Sequence, residues 1–171
     1  MGALSSRQGV AQKEEKVKRL VLAVCLSLGL VATGASALGI GGAFSVGMLG
    51  GLPSSAMLSL KLDNVRPVLG IGVSVGGGAA QFGATADWWL YQGKLAGPLG
   101  LYVALGGYAD LQTGSTSTIG LGARLPIGIQ IFPLKPLELF LEVAPRAGLT
   151  FNAFQFPVWG IQGAAGFRFW F

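Results

Sequence analysis

The residues of this sequence best equipped for chemistry are Lys61, Asp87, Arg124, Glu138, Glu142, Arg146 and Arg168. They are carboxylates and cations, and the chain supplies little to go with them. It contains no His and a single Cys, Cys25, which lies in an apolar leader. A Ser or Asp of the kind used by acyltransferases and lipases would have no imidazole base here. Without His, and with its Cys in the leader, the chain is not expected to hold a transition metal. Its glycine runs do not join a strand to a helix start, so they are not phosphate loops. No cofactor is expected, and the chain is not read as an enzyme. The chemistry left to these residues is ion pairing with one another.

Whether they can pair depends on the elements that carry them. In "TIGLGARLPIGIQIF", Ile119, Leu121, Ala123, Leu125, Ile127, Ile129 and Ile131 take every second position. Gly120, Gly122, Arg124, Pro126, Gly128 and Gln130 sit between them. A helix of 3.6 residues per turn cannot hold such a set on one face, so the stretch is a strand. The same alternation sets Leu137, Leu139, Leu141 and Val143 against Glu138, Glu142 and Arg146, and Leu58 and Leu60 against Ser59 and Lys61. It recurs in "VLGIGVSVG", "QFGATADWWLY", "LGLYVALGGYAD" and, more weakly, in "LGIGGAFSVGM". With the closing "GIQGAAGFRFWF" these make eight strands. Turn-forming "GGLPS", "NVRP", "GGG", "QGKLAG", "TGS", "FPLKP" and "NAFQFP" separate them. Pro126 and Pro145 fall inside strands, where proline implies a bulge or distorted pairing.

Alternation alone leaves two barrels open, a soluble one with an apolar interior and a membrane one with an apolar exterior. The charges choose between them. All seven lie on the non-apolar parity of their strands, and charged residues make up only 11% of the chain. A soluble domain carries roughly a quarter, and seven charges cannot solvate the outside of a barrel. They fit a narrow lumen, with the apolar face on hydrocarbon, where an Arg or Lys at midplane would cost ~2–4 kcal/mol. Most strand glycines share the inward parity, Gly42, Gly107 and Gly163 being exceptions. An interior lined by so many glycines reads as underfilled. The expected fold class is all-β: an eight-stranded antiparallel up-and-down transmembrane β-barrel in a bacterial outer membrane.

Ahead of the barrel, "KEEKVKR" precedes the apolar "LVLAVCLSLGLVATG" and the small residues Ala35, Ser36 and Ala37. This reads as a signal peptide over 1–37, cleaved after Ala37, with an extended basic n-region over 1–19 and the apolar core and cleavage site over 20–37. The barrel then spans 38–171. An uncleaved anchor is the alternative, although the apolar run falls short of the ~20 residues a spanning helix needs. Arg7, Lys13, Lys16, Lys18 and Arg19 all lie in the leader, so the net charge of +5 gives no case for nucleic acid as a partner.

The last strand places Phe167, Phe169 and Phe171 on the lipid parity and Arg168 and Trp170 on the other. It is expected to pair with the first strand and so remove both sheet edges. With both ends of the barrel periplasmic, Trp88, Phe132, Phe169 and Phe171 form one interfacial aromatic girdle, and Phe82, Phe151 and Trp159 the other. The terminal Phe also resembles the signal read by the outer-membrane barrel assembly machinery. That machinery and the lipid bilayer are the expected partners. "GLGARLPIGIQIFPLKPLELFLEVAPRAGL" and "GIQGAAGFRFWF" resemble a family of small outer-membrane barrels of unknown function, known mainly from spirochaetes. The resemblance covers the last part of the chain, implies an OmpA/OmpX-like membrane domain and brings no catalytic residues.

Pairing around "FPLKP" and "FNAFQFPV" brings Arg124 within reach of Glu142, sets Glu142 roughly opposite Arg168, and leaves Arg146 nearer the outer rim. Two functions from different classes follow. One is a structural or surface-interaction barrel with a largely plugged lumen, in which pairing neutralises buried charge. The alternative is a narrow pore or conduit for a small solute, gated by these luminal charges. Trp89, Tyr102, Tyr108 and Phe140 share the lumen and weigh against free passage.

Overall fold

The structure is a computed structural model and describes residues 37–50, 54–63, 65–76, 79–114, 117–152 and 154–171. Apart from Ala37, the expected signal peptide lies outside them. The chain forms β1 (Leu38–Leu49), β2 (Ser55–Leu62), β3 (Pro67–Gly76), β4 (Ala79–Ala96), β5 (Leu99–Thr113), β6 (Thr118–Arg124), β7 (Ile127–Leu134), β8 (Leu137–Phe151) and β9 (Gln155–Trp170). Consecutive strands pair antiparallel, with β6 and β7 both lying between β5 and β8. The ring closes where β1 meets β9, from Gly39↔Trp170 to Leu49↔Ile161. Leu38 and Phe171 exchange both backbone hydrogen bonds, at 3.1 and 3.0 Å. The terminal phenylalanine is thus the last rung of the seam. Closure satisfies the backbone groups that an open sheet would leave exposed.

β6 and β7 occupy a single place in the wall. Arg124 pairs with Gly106 and Arg146, and Ile127 with Val103 and Val143, so the register is unchanged across Leu125 and Pro126. Ala104 N donates to Pro126 O at 2.8 Å, and Leu125 N to Pro145 O at 2.9 Å. Pro126 removes a donor without adding a residue, so of the bulge or distorted pairing expected from it only the distortion is seen, as the break between β6 and β7. Pro145 likewise keeps its place opposite Ile161. The nine segments make eight staves, as the alternation predicts.

One rung shows how steeply the wall is staggered. It runs Trp170, Gly39, Lys61, Val68, Asp87, Gly106, Arg124, Arg146 and back to β9 at Gly160, ten residues from where it began. A stagger of this kind accompanies the strand tilt of roughly 35–45° that closed barrels adopt. It also makes the rung climb through the lumen, so charges in one register row sit at different heights.

The two faces separate cleanly. Ile40, Phe44, Leu58, Ile71, Leu105, Leu121, Leu141 and Phe167 are exposed, while Ser45, Ser59, Lys61, Asp87, Tyr102, Glu138 and Arg168 are buried. An apolar exterior this continuous has no place in water. The core lies inside the ring, where Val68, Trp89, Tyr102, Ala104 and Phe140 pack together.

Two connections differ from expectation. "QGKLAG" is largely strand: β4 runs on to Ala96 against β5, absorbing shifts at Trp89/Tyr91 and Lys94/Ala96, and turns at Gly97 with φ +53°. The loop expected over "FNAFQFPV" is shorter, because Gln155 already pairs with Thr150. Asn152 makes the tight return at φ 74°, a conformation asparagine tolerates. Its side chain donates to Ser117 O at 2.9 Å, tying two connections together.

Candidate functional site

The lumen is a ladder of ion pairs interleaved with aromatic rings. At the end carrying Leu38 and Phe171, β8 and β9 set Glu138 directly beside Arg168. Arg168 Nη1 donates to Glu138 Oε1 at 2.7 Å, and its Nε donates to Ser59 Oγ on β2 at 2.9 Å. Trp170 Nε1 donates to the other carboxylate oxygen at 2.9 Å. Glu138 has no exposed surface, and both its oxygens are engaged. The guanidinium of Arg168 lies 4.1 Å from the Phe140 ring centre. Beside this group, Lys61 Nζ stands 3.3 Å above the Trp89 ring, which stacks on Tyr102 at 4.3 Å.

The middle of the lumen belongs to Glu142. Tyr102 Oη donates to its Oε2 at 2.9 Å, and Arg124 Nη2 donates to its Oε1. Arg124 also reaches back toward β4, where its Nε is 3.2 Å from Asp87 Oδ1 without the alignment of a hydrogen bond. Asp87 and Arg124 are two strands apart, with Gly106 between them in the same row. A side chain at Gly106 would overlap the Asp87 carboxylate, so the glycine is what lets the pair approach.

Further from the termini, Arg146 pairs with Asp110 and covers Tyr108 at 3.7 Å from its ring centre. Arg124 and Arg146 are direct cross-strand neighbours, an unfavourable arrangement for like charges. The acids resolve it by drawing the two guanidinium groups apart, one to Asp87 and Glu142, the other to Asp110.

Arg124 and Glu142 meet as the sequence pairing implies. Glu142 does not face Arg168, however, because the β8–β9 register sets it opposite Ala164 and gives Arg168 to Glu138. Asp110 was missed as a member, although its parity matches Tyr108 in "LGLYVALGGYAD" and carried the signal. The hydrogen bonds donated by Tyr102 and Trp170 and the one accepted by Ser59 had no such signal, since they depend on cross-barrel distance.

Aromatic rings fill the space beside several of the inward glycines. Tyr102 lies against Gly128, Tyr108 against Gly122 and Gly148, Phe140 against Gly166 and Trp170 against Gly39. Each ring occupies space that a Cβ on its neighbour would take. One cavity of about 30 Å³ touches Asp87, Arg124, Phe140, Glu142 and Arg168, and another of about 30 Å³ touches Asp110, Arg146 and Gln162. Each is large enough to hold water.

On the outside, Trp88, Phe132, Phe169 and Phe171 are exposed toward the termini end, and Phe82, Phe151 and Trp159 toward the other. Phe154 and Phe156, which the sequence reading assigned to a turn, are more exposed than any residue of the second set. Among the described residues no three His, Cys, Asp or Glu converge as metal ligands.

A closed antiparallel barrel of eight staves, apolar outside and charged within, is the fold of the small outer-membrane β-barrel proteins. The chain is similar in structure to the N-terminal β-barrel domain of Pseudomonas aeruginosa OprF, with a TM-score of 0.58 and 14% identity over 80% of this chain and 98% of that one. It is also similar to Neisserial surface protein A, with a TM-score of 0.50 and 13% identity over 78% of this chain and 94% of that one. At such identities the likeness is one of fold. No protein-family model and no curated protein matches the sequence.

Proposed function

We propose that the protein is an integral barrel of the bacterial outer membrane, delivered by a signal peptide over 1–37, with a structural or surface role and a lumen closed to solutes. The observation that carries this reading is the set of luminal charge pairs, in which the buried Glu138–Arg168 and Glu142–Arg124 and the partly buried Asp110–Arg146 follow one another through the barrel. An open water path would solvate these groups singly. Pairing them across strands is what a dry interior requires. The exposed aromatics at the two ends fit interfacial girdles, and the aromatic-rich β9 fits recognition by the barrel assembly machinery. The spirochaete-type family resemblance rests on the two C-terminal stretches and adds no function.

A second reading, a narrow conduit for small solutes, has two observations in its favour. The Asp87–Arg124 contact is imperfectly aligned, and small cavities lie at the Arg124 level and at the Arg146 level beyond it. Planar-bilayer recording separates the two. Folded residues 38–171 should give no discrete current steps at 100 mV, and Glu142→Ala should produce steps by freeing Arg124 to move. Discrete steps from the unaltered protein, changed in size by Glu142→Ala, would instead establish the conduit with Arg124 and Glu142 as its gate.

A further inference from the structure

The wall of the barrel is uneven at the termini end. Pairing of β3 with β4 begins at Pro67↔Trp88, and Trp89 N makes the last bond on that side, to Arg66 O at 3.1 Å. β4 nevertheless continues to Ala96, held only by β5. The β4–β5 hairpin therefore projects past the β2–β3 turn, and a step forms between them. In that step lies a cavity of about 280 Å³, lined by Lys61, Asp63, Val65, Arg66, Trp89, Leu90, Tyr91 and Gln92.

Its deepest cation is Lys61, which keeps only 7% of its surface exposed. Among the described residues no carboxylate comes within ion-pair distance of it. Its close partners are the faces of Trp89 at 3.3 Å and Trp170 at 5.3 Å. A cation–π contact returns only part of what taking an ammonium out of water costs. The other luminal cations, Arg124, Arg146 and Arg168, each have a carboxylate. Lys61 instead lines an open cavity.

On the reading that the barrel spans the outer membrane, we infer that this step is a binding site for a phosphodiester headgroup, that of a phospholipid in the periplasmic leaflet. Lys61 at the base and Arg66 on the turn offer two cations, and Asp63 on the same turn offers one carboxylate. The balance is a single positive charge, which a phosphodiester neutralises and a doubly charged inorganic phosphate would overshoot. The rim has the matching amphipathic character. Leu90 and Tyr91 are exposed at 56% and 53% on the wall's unpaired flank, where acyl chains would run. Gln92, on the inward parity, adds a neutral hydrogen-bonding group beside the phosphate position.

The test is native mass spectrometry of the full chain, folded in detergent micelles doped with dioleoyl phosphatidylglycerol. One phospholipid should be retained per barrel, and Lys61→Gln and Arg66→Gln should each weaken retention at least tenfold. Lys94→Gln, an exposed cation outside the step, should leave it unchanged. Because Lys61 is buried, Arg66→Gln on the exposed turn decides the matter if Lys61→Gln does not fold. Equal retention by the Arg66→Gln and unaltered proteins would overturn the inference. So would equal retention of dioleoylglycerol, which lacks the phosphate, or displacement by millimolar inorganic phosphate, which would make the free ion the ligand. A barrel that inserts into vesicles yet retains no phospholipid defeats the site alone. Failure to insert at all defeats the membrane reading beneath it.

Discussion

Arg168→Met is expected to destabilise the barrel by about 3–5 kcal/mol, the usual cost of stranding one member of a buried ion pair. Glu138 has no exposed surface and takes a 2.7 Å hydrogen bond from Arg168, so its charge has nowhere to go when the guanidinium is removed. Trp170 still donates to its second oxygen, but a single neutral donor does not replace a cation. The measurement is a urea titration of folding into lipid vesicles, read by the difference in gel mobility between heated and unheated samples. Two companions give the result its meaning. Glu138→Gln/Arg168→Met should recover most of the loss, because the uncompensated carboxylate disappears with its partner. Arg146→Met should cost less than Arg168→Met, since the Asp110 side chain keeps 15% of its surface exposed and can be hydrated. A cost below about 1 kcal/mol for Arg168→Met would mean that water reaches Glu138, and the lumen would then not be dry.

Much of this architecture is legible in residue order because a membrane barrel obeys one period. Lys61, Asp87, Arg124, Glu138 and Arg168 could be turned inward from parity alone, and each is buried in the structure. Parity does not carry height. Whether Glu142 or Glu138 meets Arg168 depends on the β8–β9 register, set at a turn whose length the sequence overstated by counting Gln155 and its neighbours as loop. A slip of four residues keeps every side chain on its proper face, so the hydrophobic pattern cannot detect it. Pro126 left open which kind of distortion it makes, for a related reason. Proline in a strand signals a missing donor, and only the neighbouring registers reveal that no residue was inserted. The step at the termini end was hidden because "QGKLAG" has the composition of a turn. Its pairing with β5 comes from the partner strand and from two irregularities that composition does not mark.

Gly128→Ala tests whether the glycines serve the rings. A Cβ at this position would overlap Cζ and Oη of Tyr102, and the tyrosine has no free direction in which to retreat. One face of its ring is stacked on Trp89 at 4.3 Å and an interplanar angle of 5°, and its hydroxyl is bound to Glu142 at 2.9 Å. Displacing the ring therefore disturbs three things together: the stack, the hydrogen bond to a carboxylate, and the platform beneath Lys61. Overpacking costs about 1–3 kcal/mol by itself, and losing a hydrogen bond to a charged group about 1.5–3 more. The urea midpoint should fall accordingly. Gly107→Ala, on the outward face with its nearest neighbour, Gly122 O, at 3.6 Å, should leave the midpoint unchanged. The decisive comparison is the double variant. In a Tyr102→Ala background the space beside Gly128 is vacant, so Gly128→Ala should then cost little, and the two effects should fall well short of adding. Additive losses would place the cost of Gly128→Ala in the backbone instead, and the pairing of ring with glycine would not be what fills the lumen.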